Sequence, residues 1–183
     1  MVTLWLFAAG GAGIAARAGR PSRFAAPAIP VRLAVAIPLV LLAALPFEIL
    51  SSQAWLNRAD DAFARGDCAA ASDDARSSIS ALGDRPEPYE LLGYCAIRDG
   101  RPRQAIADMQ EAIDRDPDNW NFRYGLALAR AAAGVDPRPE VRKARDMNPL
   151  EPLVQDAVKR FATDRPRLWK RRAREVAAAL TRL

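Results

Sequence analysis

Gly66, Gly100 and Gly134 fall 34 residues apart, twice in succession, and this spacing constrains the fold more than any other feature of the chain. Other positions keep the same step. Trp55 and Tyr89 lie 34 apart, as do Ala59, Gly93 and Ala127, and so do Ala71 and Ala105. Self-similarity at one period marks stacked supersecondary units, each of which can bury its apolar face only against a neighbour. Such a stack offers a surface that holds another molecule rather than a pocket that performs chemistry.

The middle copy is the most complete. It carries Tyr89, Leu92, Gly93 and Ala96, then Ala105 and Met109, then Ala112 and Pro117. This series resembles the tetratricopeptide (TPR) family pattern W-x2-L-G-x2-Y, A-x3-F, P. The resemblance implies an all-α fold: a short TPR-like α-solenoid of about three helix–turn–helix repeats over 52–151. Physical reasons attach to the residue types. Gly93 is expected to face Ala105 where two helices approach too closely for larger side chains, with Tyr89, Leu92 and Met109 filling the space around them. Gly100 ends the first helix, since a residue without a β-carbon enters the left-handed conformation at little cost. Pro117 stops the second helix.

The outer copies are less regular, as terminal repeats are. The first, about Ser52–Arg85, keeps Trp55, Ala59, Gly66 and Ala71 but has Arg58 where the family has leucine. Its second helix is poor in large apolar groups (Ala69, Ala70, Ala71, Ala75, Ile79, Leu82). The third, about Trp120–Glu151, keeps Ala127 and Gly134 but places Pro139 at the small-residue position, so its second helix is expected to start near Pro139. Tyr124–Gly125 offers a rival register two residues out of phase.

Ahead of the repeats the chain reads as a membrane protein. Leu33–Leu50 (LAVAIPLVLLAALPFEIL) has one charge, Glu48. As a helix it would reach about 27 Å, close to the hydrocarbon thickness of a bilayer. Pro38 and Pro46 would kink it, which membrane helices tolerate. A secretory segment cleaved at Ser52-Gln53-Ala54 is disfavoured, because another apolar stretch, Met1–Ala16, precedes it. That stretch reads as a short or truncated span: either the start lies upstream, or a partner helps it cross. Between the two, the loop 17–32 carries Arg17, Arg20, Arg23 and Arg32 and no acid. Basic loops stay in the cytoplasm, which places the repeats on the extracytoplasmic side of a bacterial cell membrane.

Charge divides the chain in the same places. Residues 1–47 hold four basic groups and no acids, 48–136 hold ten basic against sixteen acidic, and 137–183 hold thirteen against six. The net +5 therefore describes two basic ends around an acidic middle and carries no nucleic-acid reader motif. Cys68 and Cys95 sit on neighbouring antiparallel helices at similar distances from the connection between them. In an oxidising compartment they are expected to form a disulfide, the other reading being two buried thiols.

Nothing points to catalysis, and no enzyme activity is expected of this chain. There is no histidine, which removes the usual general base and most zinc sites; no cofactor or metal is expected. The Asp60/Asp61, Asp73/Asp74 and Asp114/Asp116/Asp118 groups read as solvated faces and caps. Gly10-Gly11-Ala12-Gly13 lacks the lysine and strand of a phosphate loop and suits packing against a membrane helix. The TPR resemblance instead implies binding. In that family the first helix of each repeat lines a groove, which by position here comprises Gln53, Asp60, Glu87, Glu90, Tyr94, Arg98, Asn121 and Tyr124. The expected partner is a protein or peptide, extended or polar and of basic character; the bland alternative is a set of solvated helix faces.

After the repeats, 152–163 resembles a capping helix, with Leu153, Val154, Ala157, Val158 and Phe161 on one face. The tail 164–183 sets Arg165, Arg167, Lys170, Arg171, Arg172 and Arg174 around Trp169, a pattern that fits either a helix on anionic lipid or a solvated end. Two apolar spans followed by PEPYELLGYC and DNWNFRYGLALARAAAG also resemble the C-terminal region of actinobacterial O-antigen ligase or polymerase-like membrane proteins. That resemblance covers the whole chain but only the tail of that family, without its transfer loop. It implies an upstream membrane domain as partner and a fragment without activity of its own.

Overall fold

A computed structural model describes residues 48–180. The apolar stretch 1–16, the arginine loop 17–32, residues 33–47 of the second apolar run and residues 181–183 lie outside the described residues. Residues 48–64 form α1. It is followed by α2 (Cys68–Ala81), α3 (Glu87–Arg98), α4 (Pro102–Arg115), α5 (Trp120–Ala133), α6 (Arg138–Met147), α7 (Pro152–Arg160) and α8 (Pro166–Ala179). Among the described residues there is no strand.

The 34-residue step is the step between three left-handed corners. Gly66, Gly100 and Gly134 have φ of 86°, 71° and 80° and separate α1 from α2, α3 from α4 and α5 from α6. Each corner closes with the same two backbone bonds. The glycine N–H donates to the carbonyl three residues back: Gly66 to Phe63 (2.9 Å), Gly100 to Ile97 (3.2 Å), Gly134 to Ala131 (2.9 Å). The next N–H reaches five residues back: Asp67 to Ala62 (2.9 Å), Arg101 to Ala96 (2.8 Å), Val135 to Arg130 (2.9 Å). This pair is the Schellman motif, which satisfies the carbonyls a helix end leaves orphaned. Gly125 does not set a second register, because the third corner stays in phase at Gly134.

Helix starts are as local. Proline stands in the first turn of α3, α4, α6, α7 and α8, where its missing N–H costs nothing. The α6 helix begins at Arg138, with Pro139 inside its first turn. Asp67 caps α2 by accepting from the Ala70 N–H at 3.0 Å, and Asn119 caps α5 by accepting from Asn121 at 3.0 Å.

Packing follows the small-residue seam, and Met109 fills the space around Gly93. The atoms nearest to a β-carbon placed on Gly93 belong to Met109, one turn beyond Ala105 on α4. A β-carbon on Gly125 would likewise meet Met109, so this one side chain stands against α3 on one side and α5 on the other. Around it lie Ile97, Ile113, Phe122 and Leu128, all buried. The first hairpin has no such wedge. It packs Leu56, Ala59 and Ala75 against Leu91 and Leu92 of α3, with Ala62, Ala71 and the two cysteines in a second cluster. A disulfide joins Cys68 to Cys95, tying α2 to α3 across 27 residues with Cα atoms 5.3 Å apart. A buried serine pair adds a clasp between α1 and α2. The Ser52 and Ser78 hydroxyls lie 2.9 Å apart, and the Ser78 hydroxyl donates to the Ser52 carbonyl at 2.9 Å.

The segment after the repeats doubles back. The α7 helix packs on α6, burying Val154, Ala157 and Phe161, while Val158 stays more than a third exposed. The α8 helix then lies against α5 and α3, the first helices of the third and second hairpins. It buries Trp169, Ala173 and Ala177, spaced four residues apart on one face. The Trp169 indole donates to the Thr163 carbonyl at 2.6 Å, and the Arg138 guanidinium lies 5.7 Å over its ring. Trp169 therefore faces the repeats, and Arg167, Lys170, Arg171 and Arg174 face solvent.

Candidate protein-docking site

The first helices of the three hairpins present one common surface, and α8 covers the part made by α3 and α5. The part between α1 and α3 stays open as a cleft of about 280 Å³, lined by Leu56, Asp60, Phe63, Glu87, Glu90, Leu91 and Tyr94. Four of the eight groove positions named from sequence meet here: Asp60, Glu87, Glu90 and Tyr94. Of the remaining four, Asn121 reaches the cleft through Glu90, and the other three are elsewhere.

Gln53 donates along its own helix to Asn57 at 2.7 Å. Arg98 turns to the first corner, where it donates to the Gly66 carbonyl at 3.2 Å and lies 5.6 Å over the Phe63 ring. It braces the hairpin instead of facing the cleft. Tyr124 is buried beneath α7 and α8, beside Leu153, Asp156, Arg160 and Val176. Burial, with the charge of Asp156, pushes its phenol up to about 12. Asn121 reaches across from α5 and donates to Glu90 at 2.5 Å, which fixes one carboxylate oxygen.

Electrostatically the cleft is a concentrated acid. Burial pushes the Glu90 carboxyl up to about 7; the Tyr94 hydroxyl acts in the opposite direction, and the charges of Asp60 and Glu87 add to the rise. Asp60 is also raised, by burial and then by Asp61 and Glu87. Tyr94 is raised well above the usual phenol range by burial and the adjoining Glu90. Arg85 pairs with Glu87 at 3.4 Å. Apolar walls lie below this acid: Leu56 and Leu91 are buried, and Phe63 and Tyr94 stack at a tilt with centroids 6.2 Å apart.

Trp55 is half-buried on α1 with the Arg58 guanidinium 4.7 Å over its ring. Tyr89 accepts from Arg115 at 2.9 Å, and Arg115 also donates to the Gly83 carbonyl at 3.0 Å, which ties the end of α4 to the connection before α3. Leu92, Ala105 and Met109 are buried, and Pro117 lies in the turn between α4 and α5. Sequence reasoning missed the Ser52–Ser78 clasp and the covering of the groove by α8. The first carries no signal beyond two serines. The second is signalled by Ala173 and Ala177, whose small size admits a close neighbour.

No protein-family model matches the chain, and no curated protein does. Among solved structures, it is similar to the TPR domain of OM64 from Arabidopsis, with a TM-score of 0.59 and 17% identity, covering 63% of this chain and 97% of that domain. It is similar also to a mutant O-GlcNAc transferase of Thermobaculum terrenum, with a TM-score of 0.57 and 22% identity over 73% of this chain. The match spans 26% of that transferase. At these identities the likeness is one of fold: the described part of this chain has a tetratricopeptide-repeat-like, all-helical architecture.

Proposed function

We propose that this chain is a membrane-anchored repeat scaffold that docks a protein partner on the extracytoplasmic side and performs no catalysis of its own. The observation that carries the docking reading is the open α1–α3 cleft on the surface shared by the first helices, the surface through which repeats of this kind hold peptides. Two observations support the anchor. The apolar run 33–50 ends within the first turn of α1, where Ile49 and Leu50 are 54% and 68% exposed and take no part in the core. The Cys68–Cys95 disulfide suits an oxidising compartment. No helix among the described residues is itself long and apolar enough to cross a membrane.

Alkaline carbonate extraction and thiol labelling in intact cells test this reading. The chain should stay with the membrane fraction, and Cys68 and Cys95 should react with an impermeant maleimide only after reduction. Release into the supernatant, or thiols that react only after the membrane is opened, would overturn it. A second reading, the C-terminal appendage of an O-antigen ligase or polymerase-like glycan-transfer enzyme, is favoured by the two apolar stretches and arginine loop ahead of the repeats. Under it the scaffold's first partner is that membrane domain.

A further inference from the structure

We propose that the α1–α3 cleft receives a cationic side chain, a lysine or arginine carried on an extended segment of a separate partner protein. This deepens the docking reading above and rests on it.

The chemistry of the walls matches the two halves of such a side chain. Leu56, Phe63, Leu91 and Tyr94 offer apolar surface to an aliphatic stem, while Asp60, Glu87 and Glu90 stand where its charged head would arrive. Glu90 is held by Asn121 of α5 and flanked by Tyr94, so its carboxyl is oriented before anything binds. Asp60 makes no ion pair with any described residue. Three carboxyls sharing one small apolar cleft repel one another, and a cation between them relieves that repulsion. An anionic segment would meet the same repulsion and be excluded.

The neighbouring surface shows what kind of chain seats here. The α8 helix already lies on α3 and α5 of this face, so the cleft continues an interface that the protein itself uses. The outer face of α8 is basic (Arg167, Lys170, Arg171, Arg174), and it leaves the acidic opening beside α1 as the position on this surface that attracts positive charge.

The test is fluorescence anisotropy of the full chain with a labelled hexalysine peptide, against the same peptide acetylated on every lysine. Hexalysine should bind and the acetylated peptide should not. Asp60→Asn with Glu87→Gln should weaken binding at least tenfold. Asp73→Asn with Asp74→Asn, the same loss of charge on α2 outside the cleft lining, should change it less than twofold. If the cleft variant melts below the wild type, Asp60→Asn alone carries the test. Equal losses in both variants, equal binding of the acetylated peptide, or no hexalysine binding would overturn the proposal. So would self-association at micromolar concentration that Arg171→Glu with Arg174→Glu abolishes, since a second copy would then be the occupant. Failure of the carbonate extraction would leave the peptide result standing.

Discussion

Met109 occupies the space that a side chain on Gly93 would need: a β-carbon there would stand 2.7 Å from its methyl carbon and 3.0 Å from its γ-carbon. Its sulfur also lies close against Gly125 on the opposite face, where an added β-carbon would be 2.5 Å away, so the thioether has little room to shift. Gly93→Ala should therefore destabilise the fold by about 1–3 kcal/mol, the usual range for overpacking. Adding Met109→Ala should recover part of that loss if the two changes act on one contact. Chemical denaturation of the four-member cycle measures the coupling.

Two corners with the same backbone should respond differently to the same substitution. At Gly100 (φ 71°) nothing lies within 4 Å of an added β-carbon, so Gly100→Ala should lose only the cost of the left-handed conformation, about 1 kcal/mol. At Gly134 (φ 80°) the Lys170 stem would be 2.5 Å away. Gly134→Ala should lose more, and Lys170→Ala should return the excess. Melting temperatures of the three variants decide it.

Reduction should loosen the first hairpin before the others. Closing a loop of 27 residues contributes about 3 kcal/mol, and here it acts where the core is mostly alanine. Cys68→Ser with Cys95→Ser should lower stability by roughly that amount. Hydrogen exchange should show α1 and α2 losing protection while α4 and α5 keep theirs.

Glu90 should make stability fall as pH rises. Its folded pKa of about 7 lies above the ordinary 4.5, so the folded state holds the proton more tightly across that window. Below it the carboxyl is protonated in both states, and above about 7 the folded state bears the full cost of a charge flanked by Asp60, Glu87 and Tyr94. Glu90→Gln should match the wild type near pH 4 and exceed it at pH 8 by roughly 1–3 kcal/mol. Denaturation at the two pH values checks the sign.

The features legible in sequence were those fixed by local geometry. A glycine at a left-handed corner leaves a mark because few residues replace it, and three such marks gave the hairpins and their phase. The cysteine pair was legible because two helices joined by one short connection must run side by side. The return of α8 was not legible from its own residues, since a basic amphipathic helix shows that it has an apolar face but not what that face meets. Tyr124 and Arg98 illustrate the same limit within the groove. Family position placed both on the inner surface, but α7 and α8 bury one and the Gly66 carbonyl draws the other away. Met109 was legible as a residue of the Gly93 seam, but its second contact, with Gly125 of α5, was not, because a long flexible side chain can reach more than one neighbour.

Each corner belongs to one hairpin, so spacing within a hairpin, more than the step from one corner to the next, is the quantity this array has to preserve. Each bend is closed by its own backbone, so a residue added to the connection between Leu82 and Pro86 would alter a loop and leave every hairpin intact. A residue added between Arg103 and Asp108 would rotate Met109 by about 100° about the axis of α4 and withdraw it from both glycines at once. Tolerance to insertion should therefore alternate along the chain, permissive between hairpins and strict within them.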